Sequence, residues 1–374
     1  TSIVAIYVSS AFVRLELFAS VGIIILGSIG LAILTQKIFE QNKQYLTKII
    51  FPTVIIILFI IPITLPEDNT WLSWADFPPS ILNGGSSFTN FASDDWKDAT
   101  LWIKQNTSED AVIASWWDYG YWITTLSDRT TIADNATLIN WQINKLAYSL
   151  ITPPENSWHI LSSHYTEDIS QYLGDETILA FGGDLESEFI TNFRNNNDGK
   201  DCEQIFKADA QKLGDGKLEE SCNPITKGMD ADYLVIFIAG ERFYVDGINL
   251  PLYTLEGGGD ESKKTWFTKI SNHQLSKYVQ SDNITPTDFY MENTTLGMLT
   301  PYSIFKYVEL NTGRTFDTYQ NGFIPVYVSD LKFKDPENDP FYLVYASPSY
   351  YSQEQGPMHA VFIYKINHDY NPQN

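Results

Sequence analysis

Two tryptophans and an aspartate in a row, Trp116-Trp117-Asp118, are the residues of this chain best suited to bind a small polar group. Each indole offers one N–H donor, whereas an ionised carboxylate offers only acceptors. Because a hydroxyl both donates and accepts, these side chains could surround one, and a site of this kind rejects analogues that lack the hydroxyl. Gly120 permits a tight turn beneath such a pocket. On its own, the motif is more often a tryptophan-rich core patch in which Asp118 caps a helix.

A second candidate segment follows three consecutive glycines, residues 257–259. The glycines predict a flexible loop, and Asp260 is placed to cap the helix that follows. The spacing of Asp260, Lys263 and Phe267 puts them near one face of that helix. On these residues alone, a capped surface helix is the simpler interpretation.

Three apolar stretches precede these segments, at residues 1–13, 17–35 and 49–65. The second and third carry no charged residue and reach the length of a spanning helix, about 17–25 residues. We interpret the first as a membrane helix cut at its N-terminus, because the chain starts with Thr1 and shows no signal peptide. A buried core helix is the alternative for each stretch, but three in succession favour the membrane.

The short loop between the second and third stretches predicts the orientation, since it contains Lys37, Lys43 and Lys48. Short loops rich in lysine and arginine stay in the cytoplasm, so everything after Pro66 is expected outside the cell. Arg14 then lies near the outer end of the first stretch. An arginine inside a membrane segment is costly and therefore a candidate functional residue, with a guanidinium fork that suits phosphate. An arginine that only reaches the interface is the alternative.

The chain is strongly acidic, with 24 basic residues against 46 acidic ones and a net charge of −22. Nearly all of the acidic residues follow Pro66. Such a domain repels the phosphates of nucleic acid, so we exclude nucleic-acid binding.

Cys202 and Cys222 are the two cysteines of the chain and lie in a polar segment. Outside the cell they could form a disulfide, and two free thiols are the alternative. A zinc site is not expected, because no second cysteine pair or spaced histidine pair accompanies them.

The sequence predicts four parts, residues 1–66, 67–92, 93–283 and 284–374. The first holds three membrane helices, and the second, rich in Trp, Pro, Ser and Gly, is expected to be an interfacial linker. In the third, strands such as 111–115 alternate with helices, which indicates an extracellular α/β core domain. In the fourth, short alternating or apolar runs between turn residues indicate a β-rich C-terminal module.

Residues 116–120, WWDYG, resemble the signature of the catalytic subunit of oligosaccharyltransferase. The segment RTTIADN, residues 129–135, is similar to one found at this place in the same family, and the chain resembles the archaeal single-subunit members most. The resemblance implies that Trp116, Trp117 and Asp118 bind the hydroxyl of Ser or Thr at the +2 position of the sequon Asn-X-Ser/Thr. The implied activity is transfer of a lipid-linked oligosaccharide to Asn in such sequons, that is, protein N-glycosylation.

Two further segments resemble motifs of this family. Residues 260–270 resemble its DxxKxxxM motif, so Lys263 and Phe267 are expected to bind the acceptor. Phe267 stands where Met or Ile is usual, which leaves the preference for Thr over Ser open. Residues 7–15 are similar to the end of a late membrane helix, whose arginine binds the phosphate of the lipid-linked oligosaccharide; this role falls to Arg14.

The acidic residues that activate the reaction in this family lie in earlier membrane loops, and we recognise none of them in this chain. The resemblance implies a Mg²⁺ or Mn²⁺ ion for the intact enzyme, with ligands mostly outside these residues. Expected partners are acceptor polypeptides with Asn-X-Ser/Thr, a dolichol-phosphate-type lipid-linked oligosaccharide and the lipids of the cell membrane, which a multi-pass protein crosses. A non-catalytic membrane-anchored extracellular binding or surface-layer protein is the alternative, as is another glycosyltransferase that uses a lipid phosphate.

Four sequons occur in the chain itself, at Asn106, Asn135, Asn283 and Asn293. All lie in the part expected outside the cell, where glycosylation would require them to be.

Overall fold

The computed structural model describes residues 16–40, 45–65, 77–136, 140–162, 229–245, 247–271, 273–309 and 312–370. The chain divides into two compact units, Thr1–Phe77 and Pro78–Asn374. Arg14, Cys202 and Cys222 lie outside the described residues, so the expectations about them are not addressed by the structure.

The first unit contains two long apolar helices, α1 (Glu16–Glu40) and α2 (Tyr45–Thr64). Both are long and apolar enough to cross a membrane. Their large apolar side chains are exposed within the unit, as expected when lipid rather than protein covers them. Of the three predicted membrane helices, the stretch 1–13 lies outside the described residues.

The second unit is built on one nine-stranded mixed sheet. Its strands are β1 (Val112–Ser115), β2 (Thr130–Thr131), β3 (Tyr233–Phe243), β4 (Leu252–Thr254), β5 (Tyr302–Val308), β6 (Thr315–Phe316), β7 (Ile324–Ser329), β8 (Phe341–Ala346) and β9 (Gly356–Ile366). The main path runs β2-β1-β3-β4-β7-β5-β6, and β9 pairs with β3 and β8.

Strand β3 is the centre of this sheet. On one side it pairs with β1 in parallel, up to Ser115 opposite Val235, and on the other it pairs with β9 in antiparallel register along ten residue pairs. Both long strands are buried along most of their length, and near-continuous apolar runs of this kind are typical of strands covered on both faces. The apolar sequences of β3 and β9 therefore suit the central position that the two strands share.

The predicted boundary at residues 283 and 284 does not separate two modules. Strand β9, from the predicted C-terminal module, pairs with β3 of the predicted core domain, and β7 pairs with β4. The described part of the fold is therefore two apolar helices followed by one mixed-sheet unit. That unit begins at Pro78, so residues 78–92 of the expected linker are part of it.

Helices and short turns cover the sheet. They are α3 (Ser80–Asn83), α4 (Asp95–Asn106), α5 (Gly120–Trp122), α6 (Asn140–Ile151), α7 (Pro154–Ser162), α8 (Lys264–Ile270), α9 (Asp288–Asn293), α10 (Thr295–Leu299) and α11 (Pro348–Tyr351). The longest of them near the site, α4, buries Trp96, Ala99 and Ile103. The Trp96 ring packs against Tyr119 with ring centroids 4.5 Å apart, so α4 supports the turn that carries the tryptophan-aspartate motif.

Candidate functional site

The tryptophan-aspartate motif lies at the carboxyl end of β1. The strand ends at Ser115, and Trp117–Tyr119 form a single 3₁₀ turn that leads into α5. Trp116 is nearly buried, at 5 % exposure, while Trp117 and Asp118 are half-buried. The turn therefore presents an indole and a carboxylate at the edge of the sheet, where ligands commonly bind in sheets that contain parallel strands.

Gly120 is required here by close packing rather than by a positive φ. Its φ is −55°, but a Cβ added to it would lie 2.4 Å from the carbonyl oxygen of Ala133 and 2.5 Å from Cα of Asp134. Any side chain at this position would push the segment 133–134 away from the turn.

Asp260 does not cap a helix, contrary to the sequence-based prediction. It makes no side-chain cap hydrogen bond and is 1 % exposed. Its carboxylate accepts hydrogen bonds from the Tyr119 hydroxyl at 2.9 Å and from the backbone N–H of Phe237 at 2.8 Å. Asp260 is thus a buried anchor between the motif turn and β3, because its neighbours in space rather than its local helix provide its donors.

Two of the three glycines before Asp260, Gly257 and Gly259, are packed against β3, so the segment is not a loose loop. A Cβ on Gly257 would lie 2.5 Å from the carbonyl carbon of Ala239, and one on Gly259 would lie 2.6 Å from the carbonyl oxygen of Phe237. The N–H of Gly257 donates to the Ala239 carbonyl at 2.9 Å. This segment occupies the edge of β3 between the end of β1 and the start of β4, and only glycine fits so close to a strand.

Lys263 links the two candidate segments. Its Nζ lies 2.8 Å from Asp118 Oδ2, 2.8 Å from the Tyr119 hydroxyl oxygen and 3.6 Å from Asp260 Oδ1. It also lies 4.7 Å from the centre of the Tyr119 ring. A single ammonium group therefore stands between a buried carboxylate and a half-exposed one.

The electrostatics of this cluster follow from burial. Burial raises the pKa of the Asp260 carboxyl above its ordinary value, although Lys263 and the donated hydrogen bonds oppose the shift. Burial, with the nearby Asp260 charge, also raises the pKa of the Tyr119 hydroxyl well above its ordinary value. Tyr119 is consequently a neutral donor to Asp260 at physiological pH, and it orders the site without ionising.

Two polar groups of the site have no protein hydrogen bond within the part of the chain that the structure describes. One is Asp118 Oδ1, since only Oδ2 contacts Lys263. The other is the Trp116 indole N–H, which is not fully enclosed. An acceptor and a donor are therefore both left for a ligand, and this is the pair that a hydroxyl group needs.

Phe267 is placed differently from the expectation that it binds the acceptor. Its side chain is fully buried, and its ring meets the Trp116 ring edge-on, with centroids 4.7 Å apart and planes at 70°. In this arrangement it supports Trp116 from behind and offers a ligand no surface. Trp116 and Trp117 also contact each other, with ring centroids 5.9 Å apart.

Sequence reasoning missed two residues that shape the site, Tyr119 and Asn135. Tyr119 is the donor to Asp260, and the Asn135 amide contacts the backbone on both sides of Tyr119. Their positions within WWDYG and RTTIADN were the available signals. The described residues contain no group of three or more His, Cys, Asp or Glu side chains able to hold a metal ion.

Comparison with known proteins gives a family for part of the chain. Residues 108–212 match the family described as the STT3/PglB/AglB core domain, and this range includes the motif turn. The chain is 37 % identical over 101 residues to the dolichyl-diphosphooligosaccharide–protein glycosyltransferase subunit STT3 of Saccharomyces cerevisiae, which covers 27 % of this chain and 14 % of that protein. It is 39 % identical over 101 residues to STT3B of Oryza sativa subsp. japonica, which covers 25 % of this chain and 14 % of that protein. It is 26 % identical over 151 residues to stt-3 of Caenorhabditis elegans, which covers 40 % of this chain and 19 % of that protein.

A comparison with solved structures gives two weak matches. One is the C-terminal globular domain of the oligosaccharyltransferase AfAglB-S2 from Archaeoglobus fulgidus, with 14 % identity, 64 % of this chain and 98 % of that chain covered, and a TM-score of 0.25. The other is the C-terminal domain of PglB from C. jejuni, with 13 % identity, 72 % and 98 % covered, and a TM-score of 0.26. Scores this low carry no argument about the fold, and the matched segments span less than a fifth of the length of the curated relatives above. The chain thus contains a segment that matches the STT3/PglB/AglB core domain and is similar in sequence to STT3 subunits of oligosaccharyltransferase.

Proposed function

We propose that this chain is the acceptor-recognition part of an oligosaccharyltransferase, a membrane enzyme that transfers a lipid-linked oligosaccharide to Asn in Asn-X-Ser/Thr sequons. The relatives are named as dolichyl-diphosphooligosaccharide–protein glycosyltransferase subunits, and these names supply the reaction class and the protein acceptor. Trp116, Trp117, Asp118 and Lys263 bind the acceptor, and their arrangement at the carboxyl end of β1 is the observation that carries the proposal.

The site is suited to a hydroxyl group. With Asp118 Oδ2 held 2.8 Å from Lys263, Oδ1 accepts the hydroxyl proton of the +2 residue, and an indole N–H donates to the hydroxyl oxygen. Since the ligand satisfies both groups at once, a peptide without the hydroxyl leaves a half-exposed carboxylate and a nearly buried indole unpaired, which is the physical basis of strong rejection.

The pocket recognises the hydroxyl and not the methyl group of threonine. Phe267 is fully buried behind Trp116, so its ring offers no surface to the methyl group of a threonine. We therefore propose that threonine and serine at +2 are accepted with similar affinity.

The remaining parts of the proposal concern groups outside the described residues. Arg14 binds the phosphate of a dolichol-phosphate-type lipid-linked oligosaccharide, and the globular unit faces the outside of the cell membrane of an archaeon. A Mg²⁺ or Mn²⁺ ion would supply charge stabilisation in the intact enzyme. The described residues do not provide a ligand set for it, so no step of the reaction is assigned to the metal here.

Substitution of Asp118 in the full-length membrane protein tests this function. Transfer of lipid-linked oligosaccharide to a fluorescent Asn-X-Thr peptide is measured for Asp118→Asn and Asp118→Ala. We expect kcat/KM to fall roughly 10- to 150-fold in both variants, because each loses a hydrogen bond to a charged group. Asp94→Ala is the matched control, because Asp94 is an exposed carboxylate that also pairs with a lysine at 2.8 Å. Transfer that is equal in Asp118→Ala and wild type would exclude the pocket, and a complete enzyme with no transfer activity would favour a non-catalytic binding protein.

A further inference from the structure

The side-chain amide of Asn135 bridges two backbone groups of the motif turn. Its Nδ2 donates to the carbonyl oxygen of Asp118 at 3.1 Å, and its Oδ1 accepts from the N–H of Tyr121 at 3.4 Å. The two bonds span the step from the 3₁₀ turn into α5. They fix the backbone of the residue whose carboxylate is the proposed acceptor contact.

The segment that carries Asn135 is itself held against this turn. The absent side chain of Gly120 lets the backbone of Ala133 and Asp134 approach closely, because a Cβ there would come within 2.4 Å. Asp134 Oδ1 accepts from the N–H of Ala136 at 2.8 Å, which closes the local turn around Asn135. Asn135 is thus fixed on both flanks and does not reach the motif turn by chance.

An amide is the group that this position needs. It provides a donor and an acceptor on adjacent atoms, whereas a carboxylate provides acceptors only. Aspartate at residue 135 would place a negative charge against the Asp118 carbonyl oxygen and lose the 3.1 Å bond. The Asp118 side chain is held by Lys263 and its backbone by Asn135, so the two contacts together determine where the free carboxylate oxygen stands.

Asn135 is also the first residue of a sequon, Asn135-Ala136-Thr137. It differs from the other three sequon asparagines, because Asn106, Asn283 and Asn293 are exposed whereas Asn135 is half-buried. A sugar on Nδ2 would need the space beside a nitrogen that is already 3.1 Å from the Asp118 carbonyl oxygen. A glycosylated amide would keep one N–H on Nδ2, so the obstacle to modification is the lack of room for a sugar at this half-buried position.

We propose that Asn135 is a positioning residue for the acceptor pocket, and that its close packing against the motif turn keeps its own sequon unglycosylated in the folded protein. The inference rests on the proposed function, because the pocket it positions is the one assigned to the +2 hydroxyl. Asn135 acts through Asp118 and does not itself contact the acceptor.

The test compares three variants of the full-length enzyme in membranes, with an Asn-X-Thr peptide and saturating lipid-linked oligosaccharide. Asn135→Asp and Asn135→Ala remove the donor and the sequon together, whereas Thr137→Ala removes only the sequon. We expect a roughly threefold to tenfold rise in peptide KM for both Asn135 variants, with little change in kcat, and wild-type constants for Thr137→Ala. Mass spectrometry of tryptic glycopeptides from the wild-type enzyme should find Asn135 unmodified.

The outcomes separate this inference from the proposed function. A wild-type KM in Asn135→Asp, while Asp118→Ala abolishes transfer, would overturn the positioning role alone. Variants that lower kcat in proportion to the amount of folded protein, with KM unchanged, would show a merely structural role and would also overturn it. A glycan on Asn135 of the active enzyme, or equal losses in Thr137→Ala and Asn135→Ala, would show that the modification and not the free amide matters. Wild-type transfer in Asp118→Ala would exclude the pocket, and the inference would fall with it.

Discussion

Replacement of Lys263 by methionine tests whether one cation holds the candidate site together. The ammonium group lies 2.8 Å from Asp118 Oδ2 and 3.6 Å from Asp260 Oδ1, and it donates a hydrogen bond to the Tyr119 hydroxyl oxygen. Methionine keeps much of the apolar stem and removes the charge. The buried Asp260 carboxylate then loses the cation beside it, while the half-exposed Asp118 can still be solvated.

The expected loss of unfolding free energy is about 2–4 kcal/mol. Removal of one partner from a buried ion pair costs roughly 3–5 kcal/mol, and we place this case toward the lower end because the Lys263 side chain retains 19 % exposure. The loss should depend on pH. Burial already raises the pKa of Asp260, and removal of the lysine raises it further. An acid whose folded-state pKa is raised loses stability as pH rises from its unfolded value through its folded value, so Lys263→Met should lose more at pH 8 than at pH 5.

Urea or thermal unfolding of the purified full-length protein in detergent, followed by near-ultraviolet circular dichroism, measures this loss. Lys97→Met is the matched control, since Lys97 also lies 2.8 Å from a carboxylate but both side chains are more than half exposed; its unfolding free energy should change little, because exposed ion pairs contribute little to stability. Addition of Asp260→Asn to Lys263→Met should recover part of the stability, because an amide can accept from the Phe237 N–H and donate to the Tyr119 hydroxyl. If Lys263→Met is as stable as Lys97→Met, or if its loss of stability is the same at pH 5 and pH 8, Lys263 does not offset the buried Asp260 charge.

Two further predictions concern buried aromatic rings, His359 and Phe267. Burial lowers the pKa of His359 to about 4, and the buried neutral ring contacts Ser93 and Ser86. The protein should therefore lose ~3 kcal/mol of folding stability as pH falls from about 6.5 to 4, because the unfolded chain takes up the proton first. His359→Gln should remove this part of the pH dependence of the melting temperature, and an unchanged profile would contradict it. Phe267→Ala should lower the unfolding free energy by about 3–5 kcal/mol and shift tryptophan fluorescence, because the ring packs on a nearly buried indole; Trp266→Ala, at a neighbour that is 66 % exposed, is the control and should stay within about 0.5 kcal/mol.

Local elements of this fold could be read from the sequence because their signals are local. Two of the short apolar runs that indicated strands in the C-terminal part are strands β7 and β8, and the strand before WWDYG begins one residue later than predicted. The two described apolar helices were also evident from length and composition. The union of the predicted core domain and C-terminal module in one sheet was not evident from the sequence, since the pairing of β3 with β9 joins residues more than a hundred positions apart and no local pattern encodes it.

The candidate site shows the same limit at the level of single residues. The side chain of Asp260 reads as a helix cap because capping is the commonest local use of such a residue. Its real donors come from Tyr119, 141 positions away, and from the Phe237 backbone, 23 positions away. Phe267 reads as one of three residues on a helix face, but the side chain that meets this face, Trp116, belongs to a turn that the helix pattern cannot reveal.

Strand β3 explains why these distant residues meet with defined geometry. Its first residues pair with β1, which carries the motif turn at its end, and its next residues bind the glycine segment and Asp260. The motif turn and the segment that carries Asp260 are therefore both held by one buried strand. This strand is also paired along its other side with β9. Because a strand paired on both sides cannot shift without breaking ladder hydrogen bonds, the distance between Lys263 and Asp118 is set by the sheet and not by the loops that carry them. A pocket that must distinguish one hydroxyl from its absence needs this rigidity, since an error of an ångström would weaken both of the hydrogen bonds on which the distinction depends.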